Sequence, residues 1–100
     1  MKPTQKLSVL SSIPSEIVAL RSKINALDST IGRALLQRLQ ISSKIGSLKK
    51  KKGYALYDKH REIEIIDVIS RLTSNSKSKK YLSKIYSQLL KSSREYQQKK

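Results

Sequence analysis

One hundred residues and 11.4 kDa give room for a single domain of ordinary size. The 22 Lys and Arg against 7 Asp and Glu give a net charge of +15, which points to anionic partners: nucleic acid, an acidic lipid surface, or a small polycarboxylate or phosphate. The absence of cysteine and the single His60 exclude a disulfide framework, a thiol nucleophile and an ordinary zinc site, so no metal is expected.

Hydrophobic residues make up 37%, without Phe or Trp, so any core must be aliphatic. The uncharged stretch Leu7 to Ser15 contains Pro14 and is too short to span a membrane or to serve as a secretory signal. A soluble, cytoplasmic chain is expected, with residues 1–13 as a polar tail and 14–100 as one all-helical domain.

The first helix is expected to open at Pro14-Ser15-Glu16, where proline is tolerated and an acid favours the positive end of the helix dipole. Ile17, Leu20, Ile24, Leu27, Ile31, Ala34, Arg38, Ile41, Ile45 and Leu48 then recur at spacings of three and four. That pattern predicts one very long helix with a coiled-coil-like seam, close to 50 Å at about 1.5 Å per residue. A compact globule of this size has a radius of gyration of only about 13 Å, so one chain could not cover such a helix. The expected architecture is therefore all-α, three helices per subunit, in an intertwined homodimer.

Lys49-Lys50-Lys51-Lys52-Gly53 ends the first helix, because cations suit a helix carboxyl end and glycine stops it. Asp58 caps the second, whose apolar face is Ile65, Ile66, Ile69 and Leu72. Thr73 to Ser78 reads as a polar connection. The third helix runs from about Lys79 to Gln97, with Leu82, Ile85, Tyr86, Leu89 and Leu90 inward. Gly46 interrupts a periodic run for which there is no stop signal.

The informative positions break the apolar stripes. Arg38 sits on the seam between Ala34 and Ile41, where a guanidinium must snorkel outward, pair with an acid, or meet an anion. Lys49 lies eleven residues on, within about 20° of the same face. The lysine run by itself reads more readily as a solvated helix end than as a ligand site. On the second helix Asp58 and Glu62 extend the Ile65, Ile69, Leu72 stripe, so both carboxylates are expected to face inward, with Arg61 adjacent. Capping accounts for Asp58 but leaves Glu62 unexplained.

On the third helix the face of Leu82, Tyr86 and Leu89 continues into Ser93 and Gln97, which is either a frayed terminus or part of a site. Inward hydrogen-bonding groups on all three helices, with cations in excess, describe a pocket for an oxygen-rich anion. Arg21 is about 25 Å from Arg38 along the helix, so the two cannot serve one small ligand from the same chain. In an antiparallel dimer they can.

These residues resemble a known family, the all-helical class of chorismate mutases. The likeness runs from Glu16 to Gln97, through Leu20-Arg21-Ser22-Lys23-Ile24 with Leu27-Asp28, Leu35-Leu36-Gln37-Arg38, Ile45-Gly46 with Lys49, Asp58 with Arg61-Glu62, and Ser93 with Gln97. Each motif is short; their joint order and spacing carry the resemblance. It implies an intertwined dimer of three-helix subunits that rearranges chorismate to prephenate for phenylalanine and tyrosine synthesis, without metal or cofactor.

The resemblance further implies that Arg38 and the partner's copy of Arg21 hold the substrate carboxylates. Lys49 would reach a carboxylate and the ether oxygen, and Gln97 would donate to that oxygen. Glu62, with the backbone near Asp58, would take the ring hydroxyl, while Arg61 and Ser93 support the ring-carboxylate side.

Isochorismate-pyruvate lyase, which shares this fold, is the nearest rival; the Arg61-Glu62 pair with Asp58 favours the mutase, because chorismate's hydroxyl calls for a carboxylate. A basic nucleic-acid-binding helical module is the alternative from another class. Its cations would be expected to cluster around an aromatic platform or recognition helix, and neither pattern occurs. Neither a nucleic acid nor a membrane is therefore expected as a partner. A non-catalytic homologue is a third reading, against which the complete set of pocket residues argues.

Overall fold

The computed structural model describes residues 13–98 and contains, among them, three α-helices and no strand: α1 (Ser15–Lys52), α2 (Lys59–Ser70) and α3 (Ser76–Gln98). The expected polar tail lies outside the described residues apart from Ile13. The chain divides into two units, residues 1–36 and 37–100.

In the first unit the described residues are the amino-terminal part of α1. It begins where Ile17 and Val18 donate their backbone N–H groups to the Pro14 carbonyl, at 3.0 and 3.2 Å. Its apolar side chains are uncovered in the single chain: Leu20, Ile24, Leu27 and Ile31 are all more than half exposed.

The second unit holds the rest of α1 with α2 and α3. The α1 terminus is set by a paired C-cap: Tyr54 N–H reaches the Lys49 carbonyl at 2.8 Å, Gly53 N–H reaches Lys50 at 3.3 Å, and Gly53 takes φ 76°. Asp58 then caps α2 from an extended conformation, its carboxylate accepting the Arg61 N–H at 3.1 Å.

The link to α3 is shorter than the expected Thr73–Ser78 connection, and α3 starts at Ser76 rather than Lys79. Asn75 is the reason: its side-chain oxygen accepts the Ser78 N–H at 2.8 Å, a helix-starting contact placed inside what reads as a polar linker. Leu72 falls beyond the end of α2 and is exposed.

On α3, Leu90 is buried, while Leu82, Tyr86 and Leu89 are half-buried. Ile85, expected inward, is exposed. It stands about 110° round the helix from the line of Tyr86, Leu90, Ser93 and Gln97 that meets α1.

Within residues 37–52 the side of α1 turned to α3 carries small residues. Ser43 and Gly46 are buried and Ser42 is half-buried, whereas Ile41, Ile45 and Leu48 are exposed. A Cβ added at Gly46 would meet Cβ and Cγ of Gln97 at 3.4 Å. Gln97 therefore packs directly on Gly46, where a methyl group would just fit and a larger side chain would not.

Candidate active site

A cleft of roughly 140 Å³ opens between the three helices of the second unit. From α1 it is lined by Arg38, Ser42 and Lys49, and from α2 and its cap by Asp58, Arg61 and Glu62; Ser93, Arg94 and Gln97 complete it from α3. Their spacing explains the convergence, because 38, 42 and 49 share one helical face, as do 93 and 97, and 58 and 62.

On the α1–α3 side the polar groups are already ordered by one another. The Ser93 hydroxyl donates to Ser42 Oγ at 3.1 Å, and Arg38 Nη1 approaches Ser93 Oγ at 3.5 Å. Gln97 Nε2 donates to the Ser42 carbonyl at 2.9 Å. The Arg38 guanidinium also lies 5.8 Å from the centre of the Tyr86 ring, so its position is fixed from below as well.

Lys49 Nζ donates to the Leu56 carbonyl at 3.3 Å, tying the loop between α1 and α2 to the end of α1. A lysine in the last turn thus has a fixed place at the rim of the cleft, with further N–H donors to offer an anion.

The two carboxylates differ. Asp58 is exposed and engaged as a cap. Glu62 has a side chain only 21% exposed, and Arg94 Nη1 meets both of its oxygens, at 2.5 and 2.6 Å. The Arg94 guanidinium in turn lies over the Tyr57 ring, 4.5 Å from its centre. The hydrogen bond to Glu62 raises the Arg94 pKa above the ordinary arginine value, against the opposing effect of burial, so this cation stays charged at any working pH. Arg61 lines the cleft with a largely exposed side chain, 3.6 Å from Glu64 in a pair too exposed to contribute much stability.

Seven of the sequence-derived candidates, Arg38, Lys49, Asp58, Arg61, Glu62, Ser93 and Gln97, line this one cleft. Arg21 belongs to the first unit, where it is exposed on α1. Ser42 and Arg94 are not among the candidates that the sequence singles out. A signal for Arg94 is present: it is the one arginine on a third helix otherwise rich in lysine, and a half-buried glutamate calls for a guanidinium.

An anion-binding cleft on this helical scaffold can hold a small dicarboxylate and place donors along one edge of it. The family model for chorismate mutase type II matches residues 20–98, which is most of the chain and includes every cleft residue named above. The chain belongs to that family, and it is an isomerase. Among solved structures, the chorismate mutase (Form II) from Thermus thermophilus is similar, with a TM-score of 0.77 and 24% identity, covering 83% of this chain and 94% of that one. At that identity the likeness shows the fold. No curated protein matches the sequence. Among the described residues no helix is long and apolar enough to cross a membrane.

Proposed function

We propose that this chain converts chorismate to prephenate by holding the substrate in its compact, reactive conformer and stabilising the ether oxygen with fixed donors. In the rearrangement a carbon–oxygen bond breaks as a carbon–carbon bond forms within one molecule, so no nucleophile and no proton transfer is required. The task is restraint and charge stabilisation. The observation that carries this reading is the convergence of Arg38, Lys49 and Gln97 on one cleft from two helices.

Arg38 binds a substrate carboxylate, and Lys49 spans a carboxylate and the ether oxygen as that oxygen gains negative charge. Gln97 adds an amide donor at the same oxygen. Glu62, with the backbone at Asp58, accepts the ring hydroxyl; Arg61 and Ser93 support the side of the ring carboxylate. Arg21 reaches the cleft of a second copy.

A homodimer follows from the same reasoning. Leu90 is the one buried hydrophobic residue among the described residues, while the stripe from Leu20 to Ile31 stands open on α1. A second copy laid antiparallel along α1 covers that stripe and brings its own arginine to the cleft. The product serves phenylalanine and tyrosine synthesis in the cytoplasm.

The reading is tested by steady-state kinetics on Arg38→Ala and Lys49→Ala with chorismate as substrate. Each is expected to lose about a hundredfold or more in kcat/KM, the usual consequence of removing a donor aimed at developing charge. Wild-type kinetics in either variant would contradict it. Sedimentation at micromolar concentration checks the assembly: a dimer is expected, and a compact folded monomer would contradict the architecture.

A further inference from the structure

The proposed chemistry uses Glu62 as an acceptor but leaves Arg94 without a task. Both oxygens of Glu62 meet a single nitrogen of Arg94 at 2.5 and 2.6 Å. The two side chains are 21% and 29% exposed, so the pair is only partly open to water. The ring of Tyr57, one residue before the α2 cap, lies against the same guanidinium, its centre 4.5 Å from the guanidinium carbon. Arg94 therefore links three elements at one wall of the cleft: α3, α2 through Glu62, and the loop that ends in Asp58.

We propose that Arg94 is a positioning residue that holds the Glu62 carboxylate in place at the cleft as the acceptor for the substrate's ring hydroxyl. This rests on the role given to Glu62 above. A glutamate side chain released from such a contact has three rotatable bonds and can turn to solvent, and a lone carboxylate on a half-buried wall is costly to keep there. The guanidinium removes both difficulties. It restricts the carboxylate to one place, and its charge offsets the desolvation of the anion. Each carboxylate oxygen retains a lone pair for the incoming hydroxyl, because Arg94 uses one acceptor position on each. Stacking on Tyr57 fixes the guanidinium itself, so the orientation of Glu62 is inherited from the packing of the loop.

One experiment separates this role from a merely structural one. The preference for chorismate over an analogue lacking the ring hydroxyl is measured as a ratio of kcat/KM values. The variants are Glu62→Gln, Arg94→Met, Arg94→Lys and the double variant Glu62→Gln/Arg94→Met. Loss of packing would slow both substrates alike and leave the ratio where it was.

The expected result is that Glu62→Gln and Arg94→Met each lower the ratio about tenfold or more, the usual scale for a charged hydrogen bond. Adding Arg94→Met to Glu62→Gln then changes the ratio little, because Arg94 acts through Glu62. Arg94→Lys keeps most of the preference, since one cationic nitrogen serves both oxygens. Should Arg94→Met fail to fold by circular dichroism, Arg94→Gln replaces it with the same expectation.

A ratio that falls in Glu62→Gln but not in Arg94→Met overturns the positioning role and leaves that of Glu62 standing. A ratio unmoved by Glu62→Gln overturns both. Additive losses in the double variant would mean that Arg94 touches the substrate itself, and would also overturn the proposal.

Discussion

Gln97 Nε2 donates to the Ser42 carbonyl at 2.9 Å, across the contact where the Gln97 side chain packs on Gly46. The side chain assigned to the ether oxygen is therefore held by the backbone of the helix that also carries Arg38 and Lys49. One of its amide hydrogens is committed to that carbonyl, and the other is free for a substrate.

An acid at this position can make the Ser42 contact only when protonated. In Gln97→Glu the introduced carboxyl faces a carbonyl oxygen, which raises its folded pKa above the unfolded value of about 4.3. Its stabilising contribution is then fully present below that value and is lost as pH rises through the folded pKa. Lys49 and Arg38, which line the same cleft, act against this shift. The expected outcome is a variant whose kcat/KM declines between about pH 5 and 8, by about a hundredfold at the upper end, with recovery in acid. Wild type, with an amide that cannot ionise, loses nothing at this position over the same range. A wild-type profile in the variant would show that Gln97 does not face the ether oxygen.

The proposed reach of Arg21 into a partner's cleft gives a second prediction. Arg21→Ala and Arg38→Ala are each expected to be nearly inactive. In a mixed dimer one cleft lacks both arginines and the other lacks neither. Equal amounts, after subunit exchange, should recover about a quarter of wild-type activity, because half the dimers are mixed and each has one intact cleft. Mixtures that exchange subunits and stay inactive would contradict the assignment of Arg21 to the partner's cleft.

Gly53 is the one described residue with a positive φ among the glycines, and it closes the α1 cap immediately before the loop that carries Leu56, Tyr57 and Asp58. An L side chain at φ 76° is strained by about 1–2 kcal/mol. Gly53→Ala should lower the thermal midpoint by several degrees, with a larger loss in kcat/KM than the change in Tm alone would suggest, since the loop positions the Lys49 partner. An unchanged melting curve would contradict the cap.

Crowding at Gly46 is different in kind. The backbone there is ordinary helix, and the space is taken by Gln97. Gly46→Ala gains about 1 kcal/mol of helix propensity and meets Gln97 at a tolerable 3.4 Å, so stability is expected to hold or rise. Gly46→Leu has no such room and should displace Gln97, lowering kcat at least about tenfold while the helical circular dichroism is kept. Full activity in Gly46→Leu would contradict the close contact.

Much of the helical architecture is legible in periodicity and caps. The bounds of α1 follow from Pro14 and from the lysine run with Gly53, and the start of α2 follows from Asp58. The start of α3 does not follow, because an asparagine cap inside a run of Ser, Thr and Lys looks the same as a linker; only the contact of Asn75 with Ser78 distinguishes them. The small-residue face of α1 is equally hidden. Ile41, Ile45 and Leu48 dominate any hydrophobic pattern there, whereas the small residues Ser42 and Gly46 meet α3 and Ser43 beside them is buried.

The site shows the same division. Arg38 and Glu62 stand out because each places a charge on an apolar stripe, where burial demands a partner. Arg94 breaks no stripe and sits among many cations; its being the one arginine of α3 is a faint signal, and what distinguishes it is a contact with a residue thirty-two positions away.

The most direct measurement is the loss of chorismate absorbance on addition of purified protein, with the product identified. Formation of prephenate, stoichiometric with the chorismate consumed and abolished in Lys49→Ala, is the predicted result. Unchanged chorismate, or release of pyruvate from isochorismate in its place, would contradict the account.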